Sequence, residues 1–217
     1  MKDFSSFFIL LILVTIFYLY LEGKATEVTY VKAKDDNTYL VRNLPDKVEA
    51  ANLLSDMKKN LTKLVNAAYK HRNGKYKNKK TEIERLKKNY RPNALSESSP
   101  NNKYTSYSIN KGKKIVYCIR SKDANNTLVD LNTMMFVAIH ELGHLATKEI
   151  GHVPPFWDNM KFLLQVGIDE GVYKYEDYSV TQKPYCGTTI TDTPLDSVNN
   201  NNSNNSNNSN NANNTSN

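Results

Sequence analysis

The sequence predicts an α+β domain over residues 26 to 195, with helices packed on short β-hairpins. Three observations predict it. Two pairs of β-rich runs bracket turn residues, long stretches between and after them repeat apolar residues at helical spacing, and a 39% apolar content in 217 residues is enough for one core. Composition sets both ends apart: an uncharged apolar run lies within residues 1 to 25, and residues 196 to 217 are almost pure Asn and Ser.

The elements follow in chain order. Phe4 to Leu21 carries no charge, and eighteen helical residues would rise about 27 Å, close to the roughly 30 Å of a hydrocarbon layer. This predicts an N-terminal transmembrane helix, a single-pass membrane location and the membrane as a partner. The length of the run and its Phe/Tyr-rich end favour an anchor, while Gly23-Lys24-Ala25 leaves open a cleaved signal peptide and secretion. Val28-Thr29-Tyr30-Val31 and Thr38-Tyr39-Leu40-Val41, separated by Asp35-Asp36-Asn37, read as a hairpin. From Pro45, the residues Val48, Ala51, Leu54, Met57, Leu61, Leu64, Val65 and Ala68 recur on one helical face, ending near Asn73-Gly74. Thr81-Glu82-Ile83-Glu84 fits a capping box opening a shorter helix with Leu86 and Tyr90 on one face.

Ser96 to Asn102 reads as a polar loop. Tyr104 to Ile109 and Lys114 to Arg120 flank Asn110-Lys111-Gly112-Lys113 as a second hairpin. A helix begins near Asp130 or Asn132 and is expected to run to Gly151, and Pro154-Pro155 opens the next, containing Phe156, Trp157, Phe162, Leu163 and Val166. Phe156 and Trp157 are expected in the core. The Asn/Ser tail cannot bury enough surface to fold and is expected to be disordered.

Charge and cysteine usage narrow the class. Residues 58 to 91 hold thirteen Lys/Arg against Glu82 and Glu84, so the rest of this +7 chain is net acidic. A cluster of that kind is usually a solvated helix face, and otherwise meets nucleic acid or anionic headgroups. Cys118 and Cys186 are too few for a disulfide framework but sufficient for one bridge. Cys118 reads as buried packing in an apolar strand, and Cys186 as a polar-turn thiol.

The chemistry concentrates at His140-Glu141-Leu142-Gly143-His144. On a helix this spacing sets two imidazoles one turn apart on one face, able to ligate one zinc, with the glutamate beside them as general base. At 100° per residue, Leu131, Met134, Met135, Ala138, Leu142 and Leu145 fall on one arc and both histidines opposite it. A core behind and an open face in front are therefore compatible. A catalytic zinc needs a third protein ligand, and His152 is the candidate, because Gly151 can adopt the left-handed backbone that returns the chain. Glu170, and after it Asp169, stays open as a carboxylate alternative. An oxyanion donor is expected too, with Tyr178 and Tyr185 both available.

The arrangement His140 to His144, Gly151-His152 and Phe156-Trp157 resembles the WLM and SprT/Spartan-type metallopeptidases. The segments Tyr30-Val31-Lys32, Asn43 to Lys47, Ser96 to Pro100, Tyr104 to Tyr107, Asn110-Lys111-Gly112, Asp130-Leu131-Asn132 and Tyr185-Cys186-Gly187 are similar to predicted zinc metallopeptidases of large DNA viruses and some algae. The resemblance implies a zincin-like domain with an active-site helix bearing HExxH. It also implies Zn2+ as cofactor held by His140, His144 and His152, catalytic Glu141, and a protein or peptide substrate. Two other functions remain compatible with the residues: a membrane-tethered zinc scaffold without catalysis, and a DNA-dependent protease acting on nucleoprotein, which an anchor disfavours.

Overall fold

The computed structural model of the protein describes residues 2–24, 27–100, 105–123 and 125–195. The Asn/Ser tail from 196 onwards, like Tyr104 of the second hairpin, lies outside the described residues. Helix α1 (Lys2–Lys24) presents large apolar side chains from Phe7 to Tyr20 that are more than half exposed. It corrects the expected transmembrane anchor: among the described residues no helix is long and apolar enough to cross a membrane. The single-pass membrane location and the membrane partner expected from the anchor lose their support with it.

Strands β1 (Val28–Lys32) and β2 (Thr38–Arg42) form the expected antiparallel hairpin, with Asp36 in the left-handed region at its turn. Helix α2 (Lys47–Lys70) buries Ala51, Leu54, Met57, Leu61, Leu64, Val65 and Ala68, the stripe expected from the 3.6-residue period. Val48 departs from it at 49% exposure, because it lies in the first turn, beyond the edge of the core. A 3-10 turn (Lys77–Lys79) leads directly into α3 (Lys80–Asn89). The helix thus starts one residue before Thr81, its N-cap position is Lys79, and no side chain caps it. The capping box does not form. Leu86 and Tyr90 are buried as expected.

The polar loop expected over Ser96–Asn102 contains a strand instead: β3 (Leu95–Glu97) runs parallel to β5 (Lys114–Tyr117), which pairs on its other side with antiparallel β4 (Ser106–Ile109). All three β3 residues are buried. Its polar side chains hid it, but burial is tolerable because Glu97 Oε1 accepts from Arg120 Nε at 2.7 Å and Oε2 from the Arg42 backbone N–H at 2.7 Å.

Helix α4 (Leu131–Ala146) starts at an N-cap Asp130, whose carboxylate accepts from the Thr133 N–H at 2.9 Å and from its hydroxyl at 2.7 Å. Met134, Met135, Ala138, Leu142 and Leu145 are fully buried against α2, α3 and α5 (Pro154–Asp169). Leu131 is only partly buried at the edge. A last hairpin, β6 (Lys183–Tyr185) with β7 (Thr188–Ile190), turns on Cys186 and Gly187, both with positive φ. It is a two-residue turn of the kind that right-twisted strands favour.

Candidate metal centre

The site is built by where α4 stops. The helix ends at Ala146 rather than at Gly151, because Thr147 becomes extended and turns its hydroxyl back onto the Gly143 carbonyl at 2.8 Å. Other terminal carbonyls of α4 are taken up by α3: Arg85 donates to Ala146 O at 2.6 Å and Asn89 Nδ2 to Leu145 O at 3.1 Å. Asn159 of α5 fixes Thr147 Oγ1 at 3.0 Å, and Lys111 reaches Lys148 O at 2.9 Å. With the end held, the chain reverses at Gly151, φ +88°, in open space. The reversal carries His152 back to the two helix histidines.

The three imidazoles form a nearly equilateral triangle. Ring centroids lie 5.0 Å (His140 to His144), 4.8 Å (His140 to His152) and 5.0 Å (His144 to His152) apart, with Nε2 of His152 and His140 3.0 Å from each other. One nitrogen from each can be chosen so that all three lie within 4.8 Å of one another. Zinc–nitrogen bonds of about 2.0–2.1 Å put tetrahedral ligands about 3.4 Å apart, so the widest pair closes by little more than an ångström to share an ion. Three imidazole nitrogens with one side open fit a metal ion that keeps a free coordination position.

Glu170 and Asp169 are turned elsewhere. Glu170 caps α5 beside Lys63, and Asp169 pairs with Lys75 at 2.8 Å.

Electrostatics keep the site ready for a cation. Burial, then the neighbouring His144 and His152, hold His140 down to about 3. Burial and His152 hold His144 down to about 4. Both are neutral at pH 7, the form that ligates metal. Glu141, 5% exposed, is pushed up to about 7 by burial. It lines a cleft of about 610 Å³ together with His140, His144 and His152. β4, Tyr185 and Ile190 also line it, with Glu149 and Ile150 at the Gly151 turn.

Phe156 is core, as expected, yet it also stacks on His144 with centroids 4.3 Å apart. Trp157 is 43% exposed and stands 5.4 Å from His152, outside the core where it was expected. Of the two candidate tyrosines, Tyr178 is buried against Phe136 at 4.7 Å and is not among the residues lining the cleft. Tyr185 lines it, with its hydroxyl hydrogen-bonded to Ser106 Oγ at 2.7 Å. Neither cysteine is a free thiol: Cys118 and Cys186 form a disulfide.

Much of the basic segment is engaged within the fold. Lys79 meets Asp158, Arg72 meets Glu84, and Lys63 and Lys75 meet the end of α5. Sequence reasoning missed Arg85 and Asn89; the signal would have been a basic and an amide side chain one turn apart on α3, suited to a neighbouring helix's C-terminal carbonyls.

Fold and site together define an α+β domain with a three-histidine cleft at the end of one buried helix. The chain belongs to the family of Uncharacterized protein R325 of Acanthamoeba polyphaga mimivirus, to which it is 36% identical over 185 residues, 85% of this chain and 92% of that protein. Shorter stretches are similar to Uncharacterized protein 136R of Invertebrate iridescent virus 6, 37% identical over 84 residues, 37% of this chain and 44% of that protein. Uncharacterized protein 042R of Invertebrate iridescent virus 3 is 37% identical over 68 residues, 31% of this chain and 42% of that protein. No family model matches the chain, and no solved structure does.

Proposed function

We propose that the domain is a zinc-dependent metallopeptidase that hydrolyses a protein or peptide substrate in the cleft above α4. The observation that carries this reading is the convergence of His140, His144 and His152 beside a buried carboxylate in an open cleft. His140, His144 and His152 would hold the zinc. When bound, the ion supplies Lewis-acid polarisation of a carbonyl and acidifies a coordinated water.

The remaining work belongs to side chains of this chain. Glu141 takes a proton from the attacking water and delivers it to the leaving amine nitrogen, so the peptide C–N bond breaks with no net change in the enzyme. Its enclosure strengthens that exchange, since few waters compete for the carboxylate. Tyr185, which lines the cleft from the last hairpin, would donate to the carbonyl oxygen as negative charge develops there.

Glu141→Gln tests the reading. The variant should bind zinc with the stoichiometry of the unaltered protein and lose cleavage of β-casein by about 10²–10⁴-fold. Undiminished cleavage would remove Glu141 as base, and absence of zinc binding in the unaltered protein would remove the metal centre.

A further inference from the structure

The Cys118–Cys186 disulfide joins the sheet to the hairpin that carries Tyr185. Cys118 immediately follows β5, and Cys186 immediately follows Tyr185 in the β6–β7 turn. The hairpin has little else to hold it. Its strands pair only with each other, and its only buried residues are Tyr185 (4% exposed) and Cys186 (3% exposed). Lys183, Pro184 and Gly187 to Ile190 are partly or fully exposed, and Lys183 adds one half-buried ion pair to Glu176 at 3.4 Å. Cys186 also occupies the left-handed region at φ 50°, which a non-glycine residue adopts at a cost. A lone two-stranded hairpin is marginal in water. The disulfide, the buried Tyr185 with its hydroxyl bond to Ser106, the partly buried Ile190 and the Lys183 ion pair keep it on the domain, and only the disulfide is covalent.

We propose that the disulfide is a redox clasp that positions Tyr185 at the candidate metal centre, and that its reduction frees the hairpin and withdraws the tyrosine while leaving the histidine triangle in place. The two parts are held by different elements. His140, Glu141 and His144 stand on α4, whose contacts are chiefly with α2, α3 and α5 and to a lesser extent with β4, and His152 is returned by the Thr147–Val153 turn that Asn159 and Arg85 secure. None of those contacts runs through β6 or β7. Tyr185 reaches the cleft only from the hairpin, its hydroxyl resting on Ser106 of β4.

The reaction is thiol–disulfide exchange with a dithiol reductant. A thiolate of the reductant attacks one cystine sulfur, breaking the S–S bond and releasing the other cysteine as a thiol. The second thiol of the reductant then displaces the first, leaving Cys118 and Cys186 both reduced and the reductant oxidised to its own disulfide. Both cysteines are buried, Cys118 at 5% and Cys186 at 3% exposure, beneath recesses that they line with Arg42 and Arg120 and with Lys122 and Thr188 respectively.

The role given to Tyr185 rests on the peptidase reading, so the experiment includes measurements independent of catalysis. Hydrogen exchange by mass spectrometry is followed on the full chain, oxidised and after dithiothreitol, and on C118S/C186S. Zinc stoichiometry is read on C118S/C186S, because dithiothreitol itself chelates zinc. Cleavage of β-casein is compared for the unaltered protein, C118S/C186S, Y185F and the triple variant.

The clasp predicts at least tenfold faster exchange in peptides spanning 183–190 on reduction or in C118S/C186S, unchanged exchange across α4, and retained zinc. Casein cleavage falls to the Y185F level in C118S/C186S, and the triple variant loses nothing further, because both changes remove one hydroxyl. Unchanged hairpin exchange overturns the proposal. So does zinc loss or loosening of α4 in C118S/C186S, which would make the bond a general staple, and so do additive losses in the triple variant. If the unaltered protein binds no zinc and cleaves nothing, the peptidase reading fails, while the exchange data alone still decide whether the disulfide holds the hairpin.

Discussion

Gly143 lies inside a buried helix, where glycine costs roughly 1 kcal/mol against alanine. Space explains it. A Cβ at Gly143 would stand 3.0 Å from Phe156 Cε2, with Phe156 Cδ2 and Met160 Cβ each at 3.5 Å. Ordinary contact begins about 0.5 Å further out, and Phe156 is fully buried, with centroids 4.3 Å from His144 and 4.8 Å from both His140 and His152. The ring can retreat only by pushing the histidines.

Overpacking of this kind costs about 1–3 kcal/mol, and the helix-propensity gain returns about 1, so Gly143→Ala should lose about 1 kcal/mol net. The larger effect is at the metal. Ligand distances tolerate only about 0.2 Å, so a ring displaced by several tenths of an ångström should weaken zinc binding roughly 10- to 100-fold. Urea denaturation of the metal-free protein and competition against a chromophoric chelator read the two quantities. Gly74→Ala is the control, since nothing lies within 4 Å of that position. Equal or greater stability of Gly143→Ala, together with unchanged zinc affinity, would refute the steric account.

Gly151→Ala should behave in the opposite proportion: nothing crowds its Cβ, but φ +88° is strained for alanine. A loss of only about 1 kcal/mol in urea should accompany a distinct loss of zinc affinity, because His152 moves. His152→Ala should reduce zinc affinity at least about 100-fold while Glu170→Ala leaves it unchanged; the reverse pattern in chelator competition would transfer the third ligand to the carboxylate. Asp130→Ala removes the α4 cap and should cost about 1 kcal/mol, read as a lowered urea midpoint. The metal-free protein should also weaken with acid. His140 and His144 have folded values near 3 and 4, below their ordinary 6.5, so the unfolded chain takes up those protons first. Stability present above about pH 6.5 should be lost as pH falls towards 4 and 3, while Glu141, raised to about 7, works in the opposite sense between about pH 7 and 4.5; in Glu141→Gln, which removes that opposing carboxyl, a flat urea midpoint from pH 7.5 to 4.5 would contradict the burial of these rings.

Where residues declare their periodicity, the sequence was sufficient. The α2 stripe from Ala51 to Ala68, the first two hairpins and the α4 arc opposite His140 and His144 all follow from which faces are apolar, and burial enforces that choice. β3 was illegible because Ser96 and Glu97 are polar residues whose burial depends on Arg120, a partner more than twenty residues away. The same holds for the end of α4. Gly151 reads as a helix stop, but the helix stops earlier because Thr147, Arg85, Asn89 and Asn159 satisfy its last turn from three different elements. A local pattern cannot contain that information.

The last hairpin shows the same limit from the other side. Tyr185 and Cys186 were both visible as residues of interest, and neither could be placed, since the turn has no apolar alternation to locate it. What places the hairpin is a bond across 68 residues of sequence. The folded segment it secures buries only two side chains, Tyr185 and Cys186. The geometric constraint therefore falls on Tyr185, one residue from the bond and lining the histidine cleft. A covalent tie placed there fixes a hydroxyl at the site far more than it adds to a core already made by α2, α4 and α5.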